Sequence, residues 1–272
     1  MPEHALKYLS SKTTNYLLSK KQHLNNLFNK YGIMAKKVIV LSLGGSLIIP
    51  DNRIDNGVLE DFKEVLNKNS DKYKFVVVCG GGSIARTYIK GLETSKARNK
   101  KHLQTLLGIS TTRTNARFMT YFFGKDANQG IPHEIKEVHN SIEKNNIVFC
   151  GALRYSKDQT SDATAATLAR SFNTYFINLT NVSGLYDKNP KKFKDAKFIP
   201  EISHDDFYKI TKKIEFKPGQ NFVLDQKAAQ IIKKYKIRTY ILGPIMKDLD
   251  NLLNKEYFIG TIIDSEDKIN NF

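Results

Sequence analysis

The sequence predicts an α/β sandwich around a mostly parallel sheet, and two observations carry that expectation. Short apolar, β-branched runs alternate along the chain with longer stretches of helical periodicity. Two of those runs, Val38–Leu43 and Phe75–Cys79, stop in glycine clusters, Gly44-Gly45-Ser46 and Gly80-Gly81-Gly82-Ser83. Glycines between a buried strand and a helix let main-chain N–H groups approach an anion with no Cβ in the way. The following helix adds the positive end of its dipole.

The elements follow in order. A strand over 38–43 precedes a helix near 56–68, then a strand over 75–79 and a helix near 83–94. The polar, basic stretch 95–102 reads as a loop, and 103–123 as a second helical region. Ile147–Cys150 is a short strand. An alanine-rich helix over 161–172 opens on Thr160, Ser161 and Asp162 as capping residues. A strand over 175–179 leads to a loop around Pro190, whose basic part 188–197 is the expected mobile element. A helix over 223–235 and strands over 237–242 and 258–263 close the chain, and 124–146 receives no element. Residues 1–35 stand apart as a helical extension, with leucines and aromatics at helical spacing. Met34-Ala35-Lys36-Lys37, just before the first strand, looks like a translation start, so the extension is either a docking arm or a misassigned start. Residues 36–272 form the main domain.

Composition narrows the function classes. The chain has 272 residues, enough for a full core, and no run reaches the roughly 18 apolar residues of a membrane helix. A cytosolic protein is expected, since Cys79 and Cys150 end apolar runs and read as reduced, buried thiols. The net charge of +16 steers anionic ligands and favours adhesion to nucleic acid without requiring it. The six histidines show no metal-ligand spacing, so no protein-held metal site is expected.

Gly80-x-Gly82-x-x-Ala85 formally satisfies a dinucleotide fingerprint, which needs an acidic residue ending a second strand about 20 residues on. Lys96-Ala97-Arg98-Asn99-Lys100 stands there instead, which argues against a dehydrogenase. The Walker Gly-Lys-Ser/Thr ending is absent. Two anion-cradling turns in one domain fit a phosphoryl group passed between two ligands. That chemistry asks the protein for positioning and charge compensation rather than a covalent nucleophile.

The wider pattern then resembles a family. Val40–Ser46, Val78–Arg86, Gly108–Ala116, Thr160–Ala166, Asn178–Pro190 and Val223–Ala229, in this order, are similar to the amino acid kinase superfamily, and within it to archaeal-type UMP kinases. The resemblance runs from about residue 36 to Ile263. It implies a three-layer α/β/α sandwich whose 36–174 half binds the acceptor and whose 175–272 half binds ATP. It implies transfer of the γ-phosphoryl of ATP to UMP, with Mg²⁺ carried on the nucleotide, by a homohexamer. Gly44, Gly45, Ser46, Gly82 and Arg86 would hold ATP phosphates, with Thr180, Asn181, Tyr186 and Asn189 on the adenine and ribose side. Gly81, Thr105, Leu153, Gln159, Thr160 and Ser161 would hold UMP. Arg86 and Asp162 would be the catalytic pair, Asp162 organising the cations around the transferring group.

The sequence departs from the pattern at several points. Ser42 stands where many superfamily kinases have lysine, as in archaeal UMP kinases. Thr105 replaces an acidic residue, and Asn189 and Ser183 stand where aspartates are common. The uridylate loop is replaced by Ala152–Asp162, about two residues longer, with Arg154 and Lys157 as further cation candidates. Rival expectations are a kinase with another small acceptor, such as isopentenyl phosphate or carbamate, and a nucleotide- or RNA-binding regulator without turnover.

Overall fold

Alternation along the strands decides which helices cover which face of the sheet in the computed structural model, which describes residues 36–155, 160–212 and 223–265. The extension expected over 1–35 lies outside the described residues. The chain runs β1 (Lys37–Leu43), α1 (Gly45–Ile48), α2 (Asn56–Lys68), β2 (Tyr73–Cys79), α3 (Gly82–Glu93), α4 (Lys100–Phe123), α5 (Ile135–Lys144) and β3 (Ile147–Cys150). It continues through α6 (Ser161–Ser171), β4 (Phe176–Leu179), β5 (Leu185–Tyr186), β6 (Phe198–Ile199), β7 (Glu201–Ser203), α7 (His204–Lys212), α8 (Gln226–Tyr235), β8 (Thr239–Leu242), α9 (Met246–Leu253) and β9 (Gly260–Asp264).

Among the described residues the main sheet has seven strands in the order β3-β2-β1-β4-β8-β9-β7, and β5 pairs with β6 as a separate hairpin. The pairs β1–β4, β2–β3, β4–β8 and β7–β9 are parallel, whereas β8–β9 is antiparallel. Ile39, Leu41, Phe75, Val77, Phe149 and Ile177 face a layer containing Phe62 and Leu66 of α2, Met119 and Phe123 of α4, and Leu249 and Leu253 of α9. Val40, Val76, Val78, Val148, Phe176 and Ile241 face the other layer, with Val138 of α5, Leu168 of α6, Phe207 of α7 and Ile232 of α8. A period of two thus sends successive side chains of one strand into different helical layers. The result is the expected three-layer α/β/α sandwich.

The structure adds elements that the sequence reading passed over. In α5, Val138 and Ile142 turn inward at helical spacing, and α9 likewise buries one face. The stretch 95–102 is a loop only as far as Asn99, because α4 already begins at Lys100. The helix expected over 223–235 begins at Gln226, because Asp225 caps it by accepting from the Lys227 and Ala228 amides at 2.8 and 2.9 Å. Among the described residues no helix is long and apolar enough to cross a membrane. Cys79 and Cys150 are free and buried.

Candidate active site

Four strands stop at the same level, and lateral hydrogen bonds between their ends keep them in line. The Gly80 amide donates to the Leu43 carbonyl, the Gly44 amide to Leu179 and the Thr180 amide to Leu242, each at 2.9 Å. The main chains of β1, β2, β4 and β8 therefore leave the sheet together, and the crevice outside strand C-termini is where open α/β sheets bind ligands. A cavity of about 820 Å³ lies there, towards the upper end of the range for small-molecule sites.

The two glycine turns form its floor by interlocking. A Cβ placed on Gly45 would lie 2.5 Å from the Gly82 Cα and 2.8 Å from the Gly80 carbonyl carbon, so only glycine permits this approach. Gly82 itself sits at φ +65°, the left-handed region glycine favours. Side chains then pin the pair. Asn115 of α4 donates to the Gly80 carbonyl at 2.7 Å, and the Ser83 hydroxyl donates to the Ile49 carbonyl at 3.0 Å. Arg86, just beyond the first turn of α3, lines the same cavity.

The carboxylates come from two helix N-termini. Thr160 caps α6, its hydroxyl accepting from the Ala163 amide at 3.1 Å, while that hydroxyl donates to Asp225, the cap of α8. One residue into α6, Asp162 accepts from the Ser42 hydroxyl at 2.7 Å. Ser42 is fully buried in β1. Burial pushes the Asp162 carboxyl up to about 7; the nearby Asp225 charge adds to the rise and the Ser42 hydrogen bond opposes it. Asp225 is raised by burial as well, against the pull of hydrogen bonds from Thr160 and the two amides it caps. Burial disfavours the ionised form of both carboxyls, and a cation bound beside them would favour it. Their hard oxygens suit Mg²⁺, which takes one or two carboxylates and draws its other ligands from phosphate and water. No cluster of three or more acidic, histidine or cysteine side chains able to hold a metal alone occurs among the described residues.

Most residues singled out from the sequence meet in this one cavity. Gly44, Gly45, Ser46, Gly81, Gly82 and Arg86 line one part of it, and Thr105, Thr160, Ser161 and Asp162 another. Thr180, Asn181, Tyr186 of β5 and Asn189 also line it. Leu153 does not line it. Arg113 holds the Leu153 carbonyl at 2.8 Å, the side chain is 6% exposed in the apolar layer over α6, and the neighbouring Ala152 reaches the cavity instead. Arg154 pairs with Glu134, whereas Lys157 and Gln159 lie outside the described residues.

Other lining residues were not singled out from the sequence. Ile89, Gln104 and Ile109 join Thr105 on one wall, and Ile210 and Thr211 of α7 join Val223 and Leu224 on another. Ser42 as the partner of Asp162 was equally hidden, since the contact spans 120 residues. Asp225 had a local signal, an acidic residue directly before a helical stretch.

Comparison with known proteins agrees with this geometry. The amino acid kinase family pattern matches residues 37–243. The chain is 33% identical over 229 residues to a uridylate kinase of Thermococcus onnurineus, covering 83% of this chain and 99% of that one. It is 32% identical over 230 residues to a uridylate kinase of Methanothermobacter thermautotrophicus, covering 83% and 98%. The crystal structure of uridylate kinase from Archaeoglobus fulgidus superposes with a TM-score of 0.71 at 30% identity, over 84% of this chain and 99% of that one. An isopentenyl phosphate kinase, at TM-score 0.59 and 19% identity, shares the fold. With its two interlocked glycine turns and its matching pattern, the chain belongs to the amino acid kinase family.

Proposed function

We propose that the protein transfers the γ-phosphoryl of ATP to UMP, giving UDP and ADP. The observation that carries this reading is the interlocking of the Gly44–Ser46 and Gly80–Gly82 turns at the end of one sheet, open to one cavity. Two phosphates held there face each other, as an in-line transfer requires. The relatives named above, alike over nearly their whole length, support uridylate as acceptor.

The chemistry needs little beyond placement. A phosphate oxygen of UMP is already an anion at neutral pH, so no protein base has to remove a proton from it. It attacks the γ-phosphorus; the new P–O bond forms as the bond to the β-bridging oxygen breaks, and ADP leaves carrying the negative charge. The Gly45, Gly81 and Gly82 main chain aligns donor and acceptor. Arg86 offers a fork of N–H donors to the equatorial oxygens, where charge spreads in the transition state. Asp162, oriented by Ser42, and Asp225 would hold Mg²⁺, and the ion would supply neutralisation of the phosphate charge. We assign the acceptor to residues 36–174 and ATP to residues 175–272, with the Thr180–Asn189 wall and the β5–β6 hairpin around the adenosine. A hexamer follows from the family resemblance alone and sedimentation of the full chain would read it, whereas a cytoplasmic setting is supported by the free, buried Cys79 and Cys150.

The test is a coupled assay with ATP, Mg²⁺ and UMP, run beside isopentenyl phosphate and carbamate. UDP formation is the expected result. Turnover of either alternative acceptor but not of UMP would overturn the assignment, and UMP binding without any turnover would point to the regulator.

A further inference from the structure

Within the Gly108–Ala116 segment of α4, Thr112 lines the cavity, while Arg113 and Asn115 reach main chain at the ends of two strands. The paired register of β2 and β3 ends at Val78 and Cys150. Beyond it the two chains part, one into the Gly80–Gly82 turn and the other through Gly151 to Ala152, which lines the cavity. One turn of α4 supplies hydrogen bonds to both. Asn115 donates to the Gly80 carbonyl at 2.7 Å. Arg113 donates from Nε to the Ala152 carbonyl at 3.1 Å and from Nη2 to the Leu153 carbonyl at 2.8 Å. Thr112 Oγ1 accepts from the Ala152 amide at 2.9 Å. The chain leaving β3 lies directly on the helix backbone, since a Cβ on Gly151 would stand 2.6 Å from the Arg113 nitrogen and 2.7 Å from the Thr112 carbonyl carbon.

We infer that Arg113 is a positioning residue for the acceptor, acting through the Ala152–Leu153 main chain rather than on the ligand. The inference rests on the reading above that residues 36–174 carry the acceptor. Its two carbonyl partners belong to buried residues, and a buried acceptor that loses a charged donor is costly to leave unpaired. The other contacts of this segment lie at the surface. Arg154 pairs with Glu134 through a side chain that is 78% exposed, and the exposed Tyr155 sets its ring edge-on to His102. Exposed ion pairs of this kind contribute little, so the hold on the segment falls to Arg113 and Thr112. A guanidinium suits the task because its N–H donors form a rigid fork that spans two successive carbonyls, whereas an ammonium is a single point charge. When a binding segment occupies its competent position only part of the time, the apparent dissociation constant rises by the inverse of that fraction. Loss of the fork therefore weakens binding of the nucleotide that this segment serves.

The experiment measures KM for UMP and for ATP separately, on the full chain with Mg²⁺, for the wild type, Arg113→Ala and Arg113→Lys, beside melting curves. Arg113→Ala is expected to raise KM for UMP about tenfold or more and to leave that for ATP unchanged. Arg113→Lys is expected to recover part of the difference, since one carbonyl regains a charged donor. A smaller folded fraction lowers the apparent kcat but moves neither KM, so a merely structural role is read apart from positioning. Unaltered KM for UMP in Arg113→Ala, with only kcat and the melting temperature lowered, overturns the inference. A rise in KM for ATP as large as that for UMP overturns it too. Absence of wild-type turnover would instead strike the proposed function, and titration calorimetry of UMP with a non-hydrolysable ATP analogue then reads the same change as dissociation constants, by the same criterion.

Discussion

The Ser42 hydroxyl donates to Asp162 Oδ1 at 2.7 Å, joining a fully buried residue of β1 to the first turn of α6. The bond gives the carboxylate one fixed orientation and partly offsets the cost of its ionisation. Ser42→Ala removes a hydrogen bond to a charged group, worth about 1.5–3 kcal/mol. A fall in kcat/KM of about tenfold or more is expected, with the thermal midpoint lowered by about 2–4 °C for each kcal/mol lost. Steady-state assays beside a melting curve check this, and an unaltered rate would show that the orientation of Asp162 is set by other groups.

Replacing Gly45 by alanine tests the interlocked turns. The added methyl would meet the Gly80–Gly82 main chain, which is anchored by Asn115 and by the sheet and has little freedom to move aside. Steric conflict of this kind costs about 1–3 kcal/mol. A lower melting temperature together with loss of ATP binding is expected by calorimetry. Gly57→Ala, a control within α2 whose Cβ would meet only the Asp55 carboxylate at ordinary contact distance, should leave both unchanged.

Asp162 gives the ligand-free protein a pH dependence of defined sign. Its carboxyl is raised from 3.8 to about 7 in the fold, so the folded state keeps a proton that the unfolded chain releases. This contribution to stability is greatest below about pH 4 and is lost as pH rises towards 7. Asp162→Asn keeps the shape and deletes the titration. Since the side chain still faces the cavity, only part of the full shift should count, and about 1–3 kcal/mol of added stability at pH 8 is expected. Urea denaturation at pH 5 and pH 8, without nucleotide or divalent ions, measures it. A variant less stable than wild type at pH 8 would refute the account, and turnover should be lost in either case.

Arg86→Ala should lower kcat/KM by about 10²–10³, the range for removing one preorganised donor from a developing charge. The side chain is only partly buried at the start of α3, so the melting temperature should hold. Arg86→Lys should restore part of the rate, because the charge returns without the planar fork. Equal loss of rate and of stability in the alanine variant would reassign Arg86 to the scaffold.

How much of this was legible in the chain can be followed residue by residue. Val38–Leu43 and Phe75–Cys79 are short β-branched runs ending in glycine, so strand, turn and helix onset are all written locally. The same holds for Thr160 ahead of an alanine-rich helix. In α5, Ile135, Val138 and Ile142 are spaced for a helix but lie among so many polar residues that the apolar stripe is thin. α4 shows the opposite difficulty: it is buried over much of its circumference, so its length is read more easily than its contacts.

By itself, then, the sequence determined the alternation of strands and helices, the glycine turns and the capping residues, because each of these depends on neighbours a few positions apart. Only the tertiary structure decided that Gly45 meets Gly82, that Ser42 and Asp225 act on Asp162 and Thr160, and that Leu153 turns into the core while Ala152 faces the cavity. Those relationships join residues tens to more than a hundred positions apart, as Ser42 and Asp162 show with a separation of 120. They arise when the parallel strands align their ends, and no local preference of the chain encodes which side chains will then stand opposite one another.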